Sequence, residues 1–380
     1  MNASTTSLSG LAASSTVASV KVGLVGYGWW GKNMARHIAS SHWLTLVAVV
    51  ETDPAVRAQM AGDAASMGFQ VEQDFQTFLD NPAMEAVILC SPHSFHADQI
   101  VAASQAGKHV FCEKPLCLTL ADAQRAIASC EQHSRLIGIG HERRFEPAVL
   151  QLRADIAAGK LGTVLQIEGN FSQDKFFALP KDNWRLSNQH APVGPLTATG
   201  IHLVDLAIAI LGPAEAVWAR LATQGSDFEN GDTLGLMLAF PGGANALISA
   251  ILATPFEGRF TVYGSKGWVE IRDRTHPENP TGWDITTVLR GQAAQKHFVA
   301  PHASVLANLE AFAQAIRGVA PYPVSQREML ANVAALEAIM VSVKTQSIEK
   351  IVAPLLPVSV RPERVEGLRF AAPKTPAACG

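Results

Sequence analysis

A chain of 380 residues with a formal net charge of −3 is long enough for two domains with separate cores, and it carries no basic cluster suited to nucleic acid. Its most apolar helical stretch, 201–211, is interrupted by Asp205 and too short to cross a bilayer, so no membrane association is expected. The five cysteines show no paired spacing, which is the usage of a reducing compartment, and the expected location is the cytoplasm.

Residues 1–19 are rich in Ser, Thr, Ala and Gly and carry no charged side chain. Without a basic n-region they make a poor signal peptide, and a flexible segment is expected there. Val20–Val25 follows as a short apolar run, the pattern of a buried parallel strand. It leads into Gly26-Tyr27-Gly28-Trp29-Trp30-Gly31. Gly26 permits a tight turn, Gly28 lets a phosphate approach the backbone, and Gly31 lets the next helix, Trp30 to Ala39, pack on the strand. That helix would present free N–H groups and a positive dipole end to a pyrophosphate.

A second strand, Leu44–Val50, ends at Glu51, twenty residues on from Gly31. A carboxylate there accepts hydrogen bonds from both adenosine ribose hydroxyls and repels a 2′-phosphate. The next residues are Thr52, Asp53 and Pro54, with no arginine among them. NAD is therefore the expected cofactor, with NADP as the alternative.

The rhythm continues with strand Ala86–Cys90, its exit loop Ser91-Pro92-His93-Ser94-Phe95-His96, and a helix Ala97–Gln105 closed by Gly107. Ser91, Pro92, His93 and His96 are placed over the cofactor. Strand His109–Cys112 carries Glu113-Lys114-Pro115 at its carboxyl end, where open α/β sheets bind ligands, so Glu113 and Lys114 belong beside the reacting end of the dinucleotide. Oxidising an alcohol with a nicotinamide leaves a proton to be taken up. A lysine partly desolvated beside that cationic ring has a lowered pKa suited to general acid–base work. Leu136–Gly140 reads as the last strand of this domain.

The segments Gly26–Gly31, Ala86–His96 and the run Gly-Lys-His-Val-Phe-Cys-Glu-Lys-Pro ending at Pro115 resemble the Gfo/Idh/MocA oxidoreductases. Arg143-Arg144-Phe145-Glu146-Pro147 fits the same pattern, and the resemblance extends over roughly residues 20 to 350. It implies an α/β protein: an N-terminal Rossmann domain followed by an α/β domain with a large open, mostly antiparallel sheet. It also implies that Lys114 is catalytic, often with a cis Lys–Pro bond.

The expected organisation is a Rossmann domain at 20–141, a substrate-binding and oligomerisation domain at 142–352, and a Pro-rich tail at 353–380 outside the fold. In the second domain Phe145 to Ala158 is helical, and strands are expected at 165–171, 216–222, 233–240, 244–253, 258–263 and 268–272. Pro241-Gly242-Gly243 and Gly264-Ser265-Lys266-Gly267 mark hairpin turns. Helices at 303–317 and 326–345 follow. Helices on one face of a sheet leave the other for a partner, so a homodimer or homotetramer is expected through it.

The resemblance also implies a helix bearing an aspartate and a histidine four residues apart, on one face and aimed at the substrate. His202 matches the histidine, but Ala198 occupies the aspartate position. Thr197 or Thr199 could replace a hydrogen bond there but not the charge. Asp205 is expected to orient His202 or anchor the helix. Arg144, Trp184, Arg185, Thr199 and His202, with Lys114, are the expected substrate contacts, and Phe176 and Phe177 candidate pocket walls. His93 with His96, and His190 with His202, lack a suitably spaced carboxylate, so no metal is expected.

These residues point to hydride transfer between NAD(P) and a secondary alcohol or carbonyl of a sugar, cyclitol or similar small polar molecule. Lys114 would be the acid–base group, assisted by His202. Ala198 keeps two alternatives open: a non-catalytic sensor of dinucleotide and sugar, and a dehydrogenase of a cyclic diol or tetrapyrrole.

Overall fold

The apolar runs of the N-terminal third form one parallel sheet in a computed structural model that describes residues 17–352. Its strands are β1 (Val20–Val25), β2 (Leu44–Val50), β3 (Gln70–Glu72), β4 (Ala86–Leu89), β5 (His109–Cys112) and β6 (Ile137–Ile139), in the order β3-β2-β1-β4-β5-β6. Both faces are covered, which is why the strands read as nearly unbroken apolar runs. Ile88 packs with Met34, Ile38 and Phe312 on one side. Its neighbours Val87 and Leu89 pack with Ile100, Ile127 and Leu330 on the other. The chain reverses its direction of growth between β1 and β4, which opens a crevice beyond the carboxyl ends of the strands.

The second sheet has nine strands: β7 (Val164–Ser172), β8 (Ala216–Ala222), β9 (Thr233–Ala239), β10 (Asn245–Ile251), β11 (Glu257–Gly264), β12 (Gly267–Asp273), β13 (Trp283–Leu289), β14 (Gln295–Val299) and β15 (Glu349–Lys350). Their order is β14-β13-β12-β11-β7-β10-β9-β8-β15. Every pairing is antiparallel except the central one, where β7 and β10 run parallel. The helices Ile201–Leu211 and Gln326–Thr345 cover one face, with Val204, Ala207, Ala335 and Ile339 against Ile167, Leu236 and Ile248. On the other face Trp218, Met237 and Leu247 stand in register on three adjacent strands, 41%, 40% and 39% exposed.

Three strands of the second sheet escaped the sequence pattern. β14 is exposed along most of its length and β15 has two residues, so neither shows an apolar alternation, and β13 is set off from β12 by a polar loop. The helix Ser304–Ile316, expected within the second domain, returns to the first sheet, where Phe312 meets Phe111 at 5.6 Å between ring centroids. Residues 1–16 and 353–380, expected to lie outside the fold, are outside the described residues. Ala18 and Ser19 are held by Arg317, which donates to both their carbonyls at 2.8 Å.

The run Arg143-Arg144 fastens the two sheets together. Arg143, 1% exposed, donates to both oxygens of Asp273 at 2.8 Å and to Glu146 at 3.0 Å. Arg144 grips Asp205 with two bonds of 2.7 Å and reaches Glu328 with its remaining Nη1. This corrects the expectation of Arg144 as a substrate contact. Its guanidinium is buried and its donors are committed to two carboxylates, so it anchors the helices that begin near 201 and 326.

Candidate active site

A cavity of about 1060 Å³ runs from the glycine loop across the carboxyl ends of the first sheet to the helix of the second domain. At its dinucleotide end, Gly26 takes φ +87°, and a Cβ on Gly31 would lie 2.1 Å from the Gly26 carbonyl, so both positions require glycine. Above Gly28 nothing lies within 4 Å of a would-be Cβ, and the helix Trp29–Ala39 starts there without a side-chain cap. That open cradle with free helix N–H groups fits a pyrophosphate. Glu51 lines the same end, its carboxylate held by the N–H groups of Tyr27 at 2.7 Å and Asp53 at 3.0 Å. Its remaining lone pairs fit ribose hydroxyls. Arg57, the nearest arginine on the following helix, spends its Nη1 on the carbonyls of Glu51 and Thr52.

Gly26, Gly28, Trp29, Trp30, Gly31, Glu51, Ser91, Pro92, His93, Glu113 and Lys114 all line this cavity. Tyr27 and His96 do not, which corrects their assignment as cofactor contacts. The Tyr27 ring is 1% exposed, packs on Phe69 and donates to Asp63, so only its backbone serves the site. His96 is fully buried with its ring nitrogens on the carbonyls of Pro115 and Ser91, at 2.8 and 3.0 Å. It ties the exit loop of β4 to that of β5 and thereby sets the height of Lys114. His93 packs edge-on against Trp184 at 4.8 Å.

Lys114 stands where the two domains meet, and the Lys114–Pro115 bond is cis. Its Nζ donates to the main-chain carbonyls of Ala198 at 2.8 Å and Thr197 at 3.3 Å. Those carbonyls belong to a π-helical turn, Leu196–Gly200, which runs straight into the helix Ile201–Leu211. Such widened turns cluster at functional sites. Burial pulls the lysine below its ordinary pKa, and the carboxyls of Glu142 and Glu113 oppose that shift.

Ala198, Thr199 and His202 all line the cavity, so the one-sided placement expected from their spacing is present despite the wider turn. Thr199 spends its hydroxyl proton on the Pro195 carbonyl at 3.2 Å and can offer a ligand only an acceptor. His202 is 5% exposed, and burial, with Lys114, His141, Arg143 and His276 nearby, holds its pKa well below the ordinary value. The ring is a neutral imidazole. Asp205 anchors the helix through Arg144 and does not bond His202.

Trp184 and Arg185 line the cavity as expected. The Arg185 guanidinium lies 4.3 Å over the Trp184 ring and 5.8 Å over Trp29, bridging the second domain to the glycine loop. Phe176 lines the cavity, whereas Phe177 is 53% exposed and does not.

Glu142, Phe171, Gln173, Lys175, His276 and Glu278 also line the cavity and escaped the sequence reading. Lys175 and Glu278 form an ion pair of 2.7 Å. Glu142 follows β6, at the carboxyl end of a parallel strand, the same kind of position that Ser91 and Lys114 hold after β4 and β5. Burial and the neighbouring Glu113 push its carboxyl up to about 8 against the pull of Lys114.

A glycine cradle, a carboxylate at the end of β2 and a lysine at the mouth of an open parallel sheet fit a dinucleotide-dependent oxidoreductase with a second α/β domain. Residues 20–141 match the family model described as "Oxidoreductase family, NAD-binding Rossmann fold", and residues 149–270 match that of the "GFO/IDH/MocA C-terminal domain". The chain belongs to the Gfo/Idh/MocA family of oxidoreductases. It is 27% identical to the rhizopine catabolism protein MocA of Rhizobium meliloti over 84% of this chain and 93% of that protein. It is 35% identical to inositol 2-dehydrogenase of Salmonella typhimurium, over 40% of this chain and only 45% of that enzyme. The aldose-aldose oxidoreductase of Caulobacter crescentus, solved with glycerol, superposes with a TM-score of 0.77 at 26% identity, covering 87% of this chain and 99% of the other.

Proposed function

We propose that the protein is an NAD-preferring dehydrogenase of a secondary alcohol on a polyhydroxylated molecule, a sugar or cyclitol, with Lys114 as the acid–base group. The placement of Lys114 carries this reading. Its Nζ sits in one continuous cavity between the dinucleotide cradle and the face bearing Ala198 and His202. The names of the relatives, inositol 2-dehydrogenase and aldose-aldose oxidoreductase, favour the same substrate class.

When bound, the nicotinamide supplies a two-electron acceptor or donor at carbon. The chain's own residues would do the rest. Neutral Lys114 Nζ takes the hydroxyl proton during oxidation and returns it during reduction. The carbonyls of Ala198 and Thr197 hold Nζ in place between turnovers. Neutral His202 orients the reacting oxygen, and Trp184 with Phe176 supplies apolar walls for the carbon faces of a ring.

Association through the open face of the second sheet and a cytoplasmic location complete the proposal. The row Trp218–Met237–Leu247 supports the first. The free thiols of Cys90, Cys112, Cys117 and Cys130 support the second. The deciding experiment is a panel of aldoses, polyols and cyclitols incubated with NAD⁺ or NADP⁺ while reduced-cofactor absorbance is followed. Turnover of a polyol or sugar sustains the reading. Cofactor binding without turnover of any of them would replace it with that of a ligand sensor.

A further inference from the structure

His202 presents an unusual problem. Its Nδ1 is buried and has no hydrogen-bond partner. A polar atom so placed carries a penalty unless something meets it in the working state. One carboxyl stands opposite it in the cavity. The Oε1 of Glu142 lies 3.6 Å from Nδ1, a few tenths of an ångström beyond hydrogen-bonding distance.

We propose that Glu142 is the missing carboxyl of this active site: paired with His202, it performs from the exit loop of β6 the task that Ala198 leaves undone on the helix. The inference rests on the dehydrogenase reading above. The geometry supports it from two sides. Glu142 and His202 both line the cavity that holds Lys114, and they reach it from different elements, the turn after β6 and the helix Ile201–Leu211. Phe171 of β7 packs against the His202 ring at 5.9 Å and lines the same cavity.

A carboxyl and a neutral imidazole have two forms here, which differ by one proton. With the proton on Nδ1, the ring donates to the Glu142 carboxylate and offers Nε2 as an acceptor. With the proton on Glu142, the acid donates to Nδ1 and Nε2–H becomes a donor. During carbonyl reduction one proton passes from His202 Nε2 to Lys114 Nζ and on to the substrate oxygen, as the Glu142 proton moves to Nδ1; alcohol oxidation runs the same path in reverse, starting from the ionised carboxylate. No electrons change hands at these residues. The groups facing the carboxyl are Lys114, Glu113 and Glu146, and those facing the ring are Lys114, His141, Arg143 and His276. Burial and Glu113 favour the protonated acid at neutral pH, which makes Nε2–H the donor form at rest.

The test uses the full-length protein labelled with ¹⁵N-histidine, titrated from about pH 5 to 10 without cofactor or substrate. His202→Gln identifies the ring signals. The expected result is a tautomer-type step in both His202 nitrogens as Glu142 ionises, absent in Glu142→Gln. That variant is isosteric, and a thermal melt checks that it is folded. Identical titrations in wild type and Glu142→Gln would overturn the assignment. On the best polyol of the screen, Glu142→Gln should lower kcat by roughly 10²-fold, leave KM within about threefold and remove one limb of the pH profile. A purely structural Glu142 would leave kcat and profile unmoved, which also overturns it. Failure of the wild type to turn over any polyol would sink the dehydrogenase reading alone, because the titration needs no turnover.

Discussion

Lys114 Nζ donates a 2.8 Å hydrogen bond to the main-chain carbonyl of Ala198, so a lysine at the edge of one sheet is held by the first turn of a helix in the other domain. The contact uses the backbone of position 198 and is indifferent to the side chain there. The lysine's location therefore survives the replacement of the family's aspartate by alanine. Lys114→Ala should lower kcat by roughly 10²–10⁴-fold, the span for loss of an acid–base group. Cofactor affinity, set by the cradle and Glu51, should change far less. Near-normal turnover in steady-state assays would show that another group moves the proton.

The same lysine sets the sign of the pH dependence. Oxidation needs the neutral amine, and burial lowers the lysine's pKa. The rate of alcohol oxidation should rise with pH to a plateau reached below the ordinary lysine range, and reduction should show the opposite trend. Lys114→Ala should abolish both limbs. A profile flat through the alkaline range in the wild type would contradict the assignment.

The role proposed for Glu51 is to govern cofactor choice. NAD(H) should bind at least several-fold more tightly than NADP(H), because a 2′-phosphate would meet the carboxylate held by Tyr27 and Asp53. Titration by the fluorescence of Trp29 and Trp30 measures this, and Glu51→Gln should narrow the gap. Equal affinities, or a preference for the phosphorylated cofactor, would refute it.

Ala198 lines the cavity but also packs against Leu186, Phe228 and Leu252. Ala198→Asp places a carboxylate within the pocket, half against that apolar cluster. Opposite-charge attraction should raise the pKa of His202 and shift the pH–rate profile or the polyol preference. Part of the benefit should be lost as a lower melting temperature. An unchanged profile, preference and melting temperature would mean that the side chain faces neither the pocket nor the cluster.

The Arg144–Asp205 pair should matter for stability and little for substrate affinity. Asp205→Asn leaves a buried guanidinium short of a partner and should destabilise the fold by about 3–5 kcal/mol, read by denaturant unfolding. Burial pushes the Asp205 carboxyl up, but Arg144 and His141 outweigh it and hold the group below its ordinary pKa. The pair's stabilisation is thus present above the unfolded carboxylate pKa and is lost as pH falls through the lower folded value. Arg144→Met should leave KM within about threefold in folded protein. A large KM rise would restore Arg144 as a substrate contact.

Met237→Glu, in the middle of the exposed row, should disrupt association through the open sheet while sparing the monomer's fold. Sedimentation of wild type and variant at equal concentration compares them. A monomeric wild type would dismiss the interface.

What the sequence determined by itself was whatever depends on local pattern. Gly26 and Gly31 were legible because a tight turn and close packing admit no Cβ, and Gly28 because a phosphate needs open backbone to approach. Glu51 and Lys114 were legible because strand ends in a parallel sheet face the crevice whatever lies across it. The strands of the second sheet from 164 to 273 showed themselves by alternation, and the poorly covered edge strand β14 did not. Only the tertiary structure decided which polar side chains turn inward. Arg144 and Asp205 lie 61 residues apart, and nothing in either neighbourhood tells a gripped arginine from a substrate-binding one. Tyr27 and His96 sit in the right loops but point into the protein, a matter of what packs behind them. Glu142 meets His202 only because the helix Ile201–Leu211 is laid across the mouth of the first sheet. Burial and partnership are properties of the element on the far side of a contact, and local periodicity carries no record of it.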